Sequence, residues 1–176
     1  MQRRMKHVIT TERLVLRPVE PEDFEAIHEY ASDPSIDMML FLPKTEEETR
    51  EFVAFAAAEW EKSEPEVREY VVLRDGEIIG GVTLEKCEED RSFELGWVMR
   101  QDARGKGYAS EAAKALAEYA FDVLNAKQIL AHCDNRNAAS ERVMQKLGMV
   151  LADATGTRTY PKTGVESGEY MYVLRK

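Results

Sequence analysis

Two repeating patterns of apolar residues run along the chain, and together they predict its secondary structure. Apolar residues that recur every three or four positions indicate amphipathic helices, whereas short runs rich in Val, Ile and Leu indicate strands. A hairpin is expected at Asp75 and Gly76, because this dipeptide between two apolar runs favours a tight turn. The predicted strands occupy 13–19, 68–74, 77–85, 92–100 and 127–134, with a last one in the tail at "MYVLRK".

Four helices are predicted between these strands. The first opens at Pro21, a residue favoured in the first turn of a helix. The second opens at Thr45, where Glu48 three residues later completes a capping box. The third follows the glycines of "RGKGYASEA" and runs to about Leu124. The fourth spans 137–148 and ends at a glycine, which is typical of helix C-termini.

The predicted order, β-α-α-β-β-β-α-β-α-β-β, indicates an α/β (α+β) fold. We expect a single mixed, mostly antiparallel sheet of about six to seven strands, flanked by about four helices. The strands at 92–100 and 127–134 are joined through a helix, so they should run parallel. At 176 residues the chain has the length of one domain, taken as 1–176.

The composition excludes some classes of partner. The formal net charge is −9, which argues against nucleic acid, and no apolar run approaches the ~20 residues that span a bilayer. We therefore expect no nucleic-acid or membrane partner and a cytoplasmic location. Cys87 and Cys133 are expected as reduced thiols, with a nucleophilic Cys133 as the alternative. The three histidines are too scattered along the sequence to suggest a metal site.

The charge is distributed unevenly between the two halves of the chain. Residues 1–88 carry 11 basic and 21 acidic side chains, whereas residues 89–176 carry 13 basic and 12 acidic ones. An anionic ligand is therefore repelled less by the second half, and a cationic ligand would prefer the first.

The segment "RGKGYASEA" at 104–112 places two glycines and two cations at the start of a predicted helix. Glycine costs a helix about 1 kcal/mol relative to alanine, so Gly105 and Gly107 indicate a tight turn or the close approach of a ligand. Free amides at a helix N-terminus, beside Arg104 and Lys106, form a site for an anion. A turn that uses glycine for its geometry alone is the alternative.

Two phosphate-binding motifs do not fit this loop. No G-x-x-x-x-G-K-[ST] string occurs in the chain, and the dinucleotide motif G-x-G-x-x-G fails at Ser110. The loop does match R-x-x-G-x-A at Arg104, Gly107 and Ala109. With "TERLVLRPVEPEDFEAI", "FELGWVMRQDARGKGYASEA" and "NRNAASERVMQKLGM", the chain resembles the GNAT superfamily of acyl-CoA N-acyltransferases, and within it the branch that acetylates ribosomal-protein N-termini.

This resemblance covers most of the chain and implies both a fold and a chemistry. It implies a GNAT-like N-acetyltransferase domain that uses acetyl-CoA as co-substrate and no metal. The acetyl group would pass to a primary amine by direct attack in a ternary complex, so no nucleophilic side chain is required. The implied contacts to CoA fall on the strand before the loop, in the loop and at the start of the last helix: Trp97, Val98, Met99, Arg104, Gly105, Lys106, Gly107, Tyr108, Ala109 and Asn137.

Several of these residues have a role implied by the family and an ordinary structural role. In the family, the strand before the loop separates from its neighbour. The backbone of Trp97, Val98 and Met99 would then bind the pantetheine arm, and its amides could polarise the thioester carbonyl. The Tyr108 ring is expected to pack beneath the helix. Asn137 resembles a CoA-contacting asparagine, but an N-cap role explains it almost as well.

The resemblance also points to groups that move protons. Glu94 is the candidate base for the amine, directly or through water, although a solvated carboxylate is equally compatible with its position. Where many members have a tyrosine that protonates the departing thiolate, this chain has Met144. In the N-terminal-acetylating branch a serine one turn earlier does this work, and here it is Ser140, also an ordinary first-turn residue. Phe41 and Tyr160 are expected to line the acceptor pocket.

The amine must be neutral to attack, and this requirement bears on the acceptor. An α-amino group, with a pKa of roughly 8, costs about 1 kcal/mol to deprotonate at neutral pH, whereas a lysine near 10.4 costs about 4.6 kcal/mol. Together with the branch resembled, this favours a protein or peptide N-terminus. Amino acids, polyamines and aminoglycosides are alternatives, as is a non-catalytic CoA-binding module, which Met144 would favour. A homodimer is expected from the general frequency of dimers.

Overall fold

The computed structural model describes residues 7–176. The strands within that range are β1 (Ile9–Thr10), β2 (Val15–Pro18), β3 (Val67–Arg74), β4 (Glu77–Lys86), β5 (Ser92–Met99), β6 (Gln128–Asp134), β7 (Val150–Thr159) and β8 (Glu166–Arg175). The α-helices of the same range are α1 (Phe24–Ala31), α2 (Glu46–Glu59), α3 (Tyr108–Asp122) and α4 (Ala138–Lys146). Short 3-10 turns precede α1 at Pro21–Asp23 and α3 at Gln101–Ala103.

The eight described strands form one sheet in the order β1-β2-β3-β4-β5-β6-β8-β7. Neighbouring strands are antiparallel except β5 and β6, which are parallel. This arrangement confirms the mixed, mostly antiparallel sheet and the parallel crossover predicted from the sequence. The strand count exceeds the prediction because β1, which pairs with β2 through Ile9 and Thr10, is too short to produce a recognisable apolar pattern.

Local side-chain hydrogen bonds explain where two of the helices begin. Thr45 Oγ1 accepts a hydrogen bond from the Glu48 amide at 3.2 Å, and Glu48 Oε2 accepts one from the Thr45 amide at 2.7 Å. These two bonds confirm the predicted capping box at the start of α2. At the start of α4, Asn137 Oδ1 accepts from the Ser140 amide at 3.0 Å, which confirms the predicted N-cap.

Helices cover both faces of the sheet. Tyr119 of α3 packs edge-on against Tyr70 of β3, with 6.3 Å between ring centres. Tyr30 of α1 instead approaches Glu69, the neighbour of Tyr70, beside Gly81 of β4. Because consecutive strand residues point to opposite sides of a sheet, α1 and α3 lie on opposite faces. We call the side that carries α1 the α1 face.

The parallel strands β5 and β6 stay paired over a short distance. Ser92–Glu94 lie opposite Gln128–Leu130. Beyond these residues β5 continues along β4 to Met99, and β6 continues along β8 to Asp134. The two strands therefore separate after Glu94 and leave a gap between their C-terminal halves. This is the separation that the resemblance implied, and it positions the candidate site.

Burial determines the protonation state of one of the two cysteines. Cys87 and Cys133 are free thiols, and burial raises the pKa of Cys133 to about 11. A thiol that stays protonated is a poor nucleophile, so Cys133 is unsuited to attack an acyl group.

Among residues 7–176, no helix has the length and apolar character needed to cross a membrane.

Candidate active site

A cleft of about 530 Å³ lies beside the separated end of β5. The segment between α1 and α2 forms one wall, and β5, the loop before α3, and α4 form the others. The cleft brings together most of the candidate residues chosen from the sequence. They are Trp97, Val98, Met99, Arg104, Gly105, Gly107, Tyr108, Ala109, Asn137 and Ser140.

The loop before α3 presents a run of free backbone amides. Gly105 and Gly107 have φ angles of +72° and +82°, which other residues rarely adopt. A Cβ atom on Gly105 would meet no atom within 4 Å, so the space beside it is open. Within residues 7–176, no hydrogen bond uses the six consecutive amides of 105–110. Such a row of donors at a helix N-terminus fits an anionic group such as a phosphate.

Arg104, which was predicted to contact the anion, makes three hydrogen bonds within the protein. Its Nε donates to the Met99 carbonyl at 3.0 Å, its Nη1 to Ser35 Oγ at 3.1 Å, and its Nη2 to Asp33 Oδ2 at 3.0 Å. Hydrogen bonds from Ser35, with a further contribution from Arg104, lower the pKa of Asp33. Arg104 therefore ties the loop before α3 to the segment that follows α1.

Arg13, which is not among the residues that line the cleft, supports the same loop. Its Nη1 donates to the Lys106 carbonyl at 3.1 Å, and its Nε donates to Glu111 Oε2 at 2.6 Å. Its guanidinium lies 4.7 Å from the centre of the Tyr108 ring, and that ring is buried. Lys106, a predicted contact residue, is not part of the cleft lining. The loop is thus held through its carbonyl and side chains while its amides stay free.

Helix α4 supplies the opposite wall of the cleft. Asn137 and Ser140 both line it, and the N-cap uses only Asn137 Oδ1 and the Ser140 amide. Among the described residues, the Ser140 hydroxyl makes no hydrogen bond, so it is available to a ligand. Met144, one turn later, is fully buried and faces the core instead of the cleft.

Two cations of α4 line the cleft although they were not selected from the sequence. Arg142 and Lys146 are four residues apart, so they project from the same side of the helix. Their signal in the sequence was this spacing, shortly after the N-cap at Asn137. With them, the cleft carries positive charge on α4 as well as the free amides of the glycine loop, which suits an anion that bears several phosphates.

Glu94 lies where β5 and β6 separate, outside the lining of the cleft. Its side chain is 44% exposed, and its Oε1 lies 2.9 Å from His132 Nδ1. This hydrogen bond raises the pKa of His132 above its ordinary value, although burial opposes the rise. A carboxylate that accepts from Nδ1 fixes the neutral imidazole in the tautomer with a lone pair on Nε2.

His132 was not among the residues selected from the sequence, because the histidines were considered there as metal ligands or as a partner of Cys133, and not as partners of a carboxylate. The alternating pattern of "QILAHCD" places Leu130 and His132 on one face of β6, which was a usable signal. Only the parallel register of β5 and β6 brings His132 to Glu94, however. No group of His, Cys, Asp and Glu side chains in the described part of the chain is arranged to hold a metal ion.

Two carboxylates face each other across β4 and β5 near the same gap. Glu85 lies directly opposite Glu94. Burial, and then the charge of Glu94, raise the pKa of Glu85. Like charges in this arrangement repel each other, so this part of the α1 face can attract a cation.

Phe41 and Tyr160 lie apart from the cleft lining. Phe41 is 64% exposed and contributes to a second cleft of about 570 Å³, together with Lys44 and Phe52. Tyr160 is 7% exposed, and its hydroxyl donates to Asp134 Oδ2 at 2.5 Å. The expected contribution of these two residues to an acceptor pocket stays a prediction.

Known proteins share both the sequence pattern and the fold. A sequence model described as an acetyltransferase (GNAT) domain matches residues 13–150. The uncharacterized N-acetyltransferase YnaD of Bacillus subtilis (strain 168) is 36% identical over 170 residues, which cover 94% of this chain and 95% of that protein. The spermidine N(1)-acetyltransferase of Escherichia coli (strain K12) is 31% identical over 136 residues, which cover 76% of this chain and 70% of that protein.

A solved structure extends the comparison to the fold. The ribosomal alpha-N-protein acetyltransferase RimL, in complex with coenzyme A, matches this chain with a TM-score of 0.85 at 18% identity. The match covers 96% of this chain and 98% of that one. At this level of identity, the likeness concerns the fold.

Proposed function

Because this chain belongs to the GNAT acetyltransferase family and is an acetyl-CoA-dependent N-acetyltransferase, we propose that its acceptor is the α-amino group of a protein or peptide N-terminus. Acetyl-CoA supplies an activated thioester, which the neutral amine attacks directly in a ternary complex. The observation that carries the proposal is the hydrogen-bonded pair of Glu94 and His132 where β5 and β6 separate.

The free amides of the glycine loop would hold the pyrophosphate of the donor. They form a continuous row at 105–110, and the open space at Gly105 lets a phosphate approach the backbone closely. Arg142 and Lys146 bring further positive charge to the same cleft. The backbone at 97–99, which leaves β6 where the strands separate, would bind the remaining arm of the donor and face its thioester carbonyl.

Glu94 and His132 would act together as the base. Glu94 accepts the Nδ1 hydrogen of His132, so Nε2 carries the lone pair that takes a proton from the amine. An α-amino group with a pKa of roughly 8 loses this proton at neutral pH at a cost of about 1 kcal/mol, against about 4.6 kcal/mol for an amine near 10.4. A histidine whose pKa Glu94 raises above its ordinary value is a stronger base than a free imidazole, and it is better matched to an N-terminal amine than to the more basic amine of lysine.

Ser140 would assist the departing thiolate. Its hydroxyl lines the cleft and has no hydrogen-bond partner among the described residues, so it can donate to the sulfur as the carbon–sulfur bond breaks. Many members of the superfamily have a tyrosine at the position of Met144, and Met144 is fully buried here. Cys133 stays protonated because burial raises its pKa to about 11, which favours direct attack over a route through a cysteine.

A polyamine is the second candidate acceptor. Glu85 and Glu94 place two carboxylates opposite each other beside the gap, and the second ammonium group of a polyamine would relieve their repulsion. One relative is named a spermidine N(1)-acetyltransferase. The two candidates differ in what lies beyond the reacting amine, which is a peptide chain in one case and a second cation in the other.

A panel of amines distinguishes the candidates. It contains a lysine-free peptide with a free N-terminus, the same peptide N-formylated, an N-formylated peptide with one lysine, and spermidine. The release of CoA is followed with a thiol reagent at a fixed concentration of acetyl-CoA. We expect the highest kcat/KM for the free N-terminus. A preference for spermidine would favour the second candidate, and turnover of the lysine peptide alone would contradict both.

A further inference from the structure

A buried carboxylate on the α1 face has no part in the route described above. Glu69 of β3 is 3% exposed, and its Oε2 accepts a hydrogen bond from the Thr83 hydroxyl of β4. Within residues 7–176, no hydrogen bond reaches its Oε1. The nearby Tyr30 hydroxyl is also buried without a hydrogen-bond partner among the described residues. The charge of Lys44 favours the ionised form of Glu69, but burial outweighs it. A carboxyl group buried with a single hydrogen-bond donor is costly, so packing alone does not account for it.

The backbone beside Glu69 leaves room for its carboxylate. A Cβ atom on Gly81 would come within 2.6 Å of Glu69 Oε1 and 3.1 Å of the Tyr30 hydroxyl. A side chain at this position would therefore displace both polar groups. Burial also raises the pKa of Glu69 to about 8, which brings its titration close to neutral pH.

Thr83 connects Glu69 with open space where the strands separate. It is paired with Glu69 of β3 on one side and with Gly96 of β5 on the other, so the three positions share one face. A Cβ atom on Gly96 would meet only the Thr83 Cβ, at 4.0 Å. The neighbours of Gly96 on this face of β5 are Glu94 and Val98, and Val98 lines the cleft. The open space thus lies between the cleft and the proposed base.

We propose that Glu69 orients the Thr83 hydroxyl so that its lone pairs accept a hydrogen bond from the acceptor amine above Gly96. Because the hydroxyl hydrogen is donated to Glu69 Oε2, its oxygen presents only acceptor sites to this space. An amine held there has Glu94 on the same face of β5. Glu69 is a positioning residue, whereas Thr83 contacts the substrate. The inference rests on the proposed function and names the group that holds its amine.

Substitutions of Thr83 test the contact with the amine. Thr83→Val preserves the shape of the side chain without the hydroxyl, and Thr83→Ser preserves the hydroxyl. We expect Thr83→Val to raise the acceptor KM by about tenfold or more, with the KM for acetyl-CoA unchanged. Thr83→Ser should stay close to the unsubstituted protein. Thr157→Val, at a threonine of β7 on the far edge of the sheet, is the matched control for the loss of a strand hydroxyl.

Two further substitutions test the open space and the positioning residue. The methyl group of Gly96→Ala would make only an ordinary 4.0 Å contact with Thr83, so the fold is retained while the space for the amine is filled. Glu69→Gln keeps the side-chain shape, but its amide can donate to Thr83 and turn the hydroxyl hydrogen toward the amine. We expect both to raise the acceptor KM without changing that of acetyl-CoA.

The assays use whichever amine the unsubstituted protein acetylates best, and calorimetric binding of that amine in the presence of CoA accompanies them. An unchanged acceptor KM in Thr83→Val and Gly96→Ala would overturn the inference and leave the proposed function intact. Equal losses for both substrates, or an equal loss in Thr157→Val, would also overturn it. If the unsubstituted protein neither binds nor acetylates any amine of the panel, the proposed function and this inference both fall.

Discussion

Arg104 Nη2 lies 3.0 Å from Asp33 Oδ2, so one side chain joins the glycine loop to the segment that follows α1. Further along this segment, Arg158 Nη1 donates to the Met38 carbonyl at 3.3 Å. Met38 itself lines the cleft. Two arginines from distant parts of the chain therefore hold this segment, Arg104 at Asp33 and Arg158 at Met38.

We expect Asp33→Ala to loosen this segment without weakening the binding of acetyl-CoA, because Arg104 is then free to face the donor. The acceptor KM should rise several-fold, and the free energy of unfolding should fall only slightly, since the pair is partly exposed. Steady-state kinetics and urea unfolding measure the two effects. Asp122→Ala, which breaks the exposed pair with Lys176, is the control. Weaker donor binding in Asp33→Ala would contradict this account.

The glycine loop can be tested with a pair of matched valine substitutions. Gly105 and Gly164 have φ angles of +72° and +69°, and a Cβ atom at either position would meet no atom within 4 Å. Valine at either site costs roughly 1–2 kcal/mol of backbone strain. We expect Gly105→Val to weaken acetyl-CoA binding by about tenfold or more and Gly164→Val to leave it unchanged, as measured by calorimetry. Equal weakening would mean that the loop does not bind the donor.

Removal of the Ser140 hydroxyl should affect turnover more than binding. The N-cap uses the Ser140 amide, which alanine retains, so α4 should keep its start. We expect Ser140→Ala to lower kcat by about 10²-fold if the hydroxyl acts as a general acid, with the Kd of acetyl-CoA unchanged. Burst kinetics should be absent in both proteins. If kcat is unaffected, the thiolate receives its proton from another group.

The pH dependence of kcat/KM should report the titration of His132. Only the neutral imidazole accepts a proton, so activity should rise as the pH passes the pKa of His132. Glu94 raises that pKa above the ordinary value of about 6.5. Glu94→Gln removes this contribution and should move the rise to lower pH with a reduced plateau, whereas His132→Ala should eliminate it. A rise at the same pH in all three proteins would exclude the pair as the base.

Glu69 should make the folded protein less stable as the pH increases. Burial raises its pKa from 4.5 to about 8, so the folded state binds this proton more tightly than the unfolded chain does. Its contribution to stability is complete below the ordinary pKa and is lost as the pH rises toward 8. Relative to Glu69→Gln, we expect the free energy of unfolding to fall by up to about 1.4 kcal/mol per pH unit in this range. If this is wrong, urea unfolding at several pH values will show the same change in the free energy of unfolding with pH for the unsubstituted protein and for Glu69→Gln.

Features that depend on neighbouring residues could be predicted from the sequence. Thr45 and Glu48 are three positions apart, and their reciprocal hydrogen bonds are those of the predicted capping box. Glu94 and His132 are 38 positions apart, and their contact depends on the parallel register of two strands. An apolar pattern identifies each strand but does not define which of its residues face which.

Side-chain direction is harder to predict from the sequence than the elements themselves. A tyrosine at 160 suits a pocket wall, but whether its ring faces the cleft depends on Asp134, which accepts its hydroxyl hydrogen. A cation beside the glycines likewise suggests an anion contact at Arg104, which stays a prediction, but nothing in the sequence indicates that its guanidinium also binds Asp33 and Ser35. Such competition between partners is a property of the tertiary structure and leaves no pattern along the chain.

The short junction between β5 and β6 divides the sheet into two antiparallel blocks, β1–β5 and β6–β8. Glu94 belongs to the first block and His132 to the second, so their hydrogen bond crosses the boundary. A small rotation of one block against the other would change this distance directly. The alignment of the proposed base therefore depends on the mechanical stiffness of a three-residue junction, and we expect substitutions of Ser92 or Phe93 that soften it to alter catalysis although neither residue belongs to the proposed base.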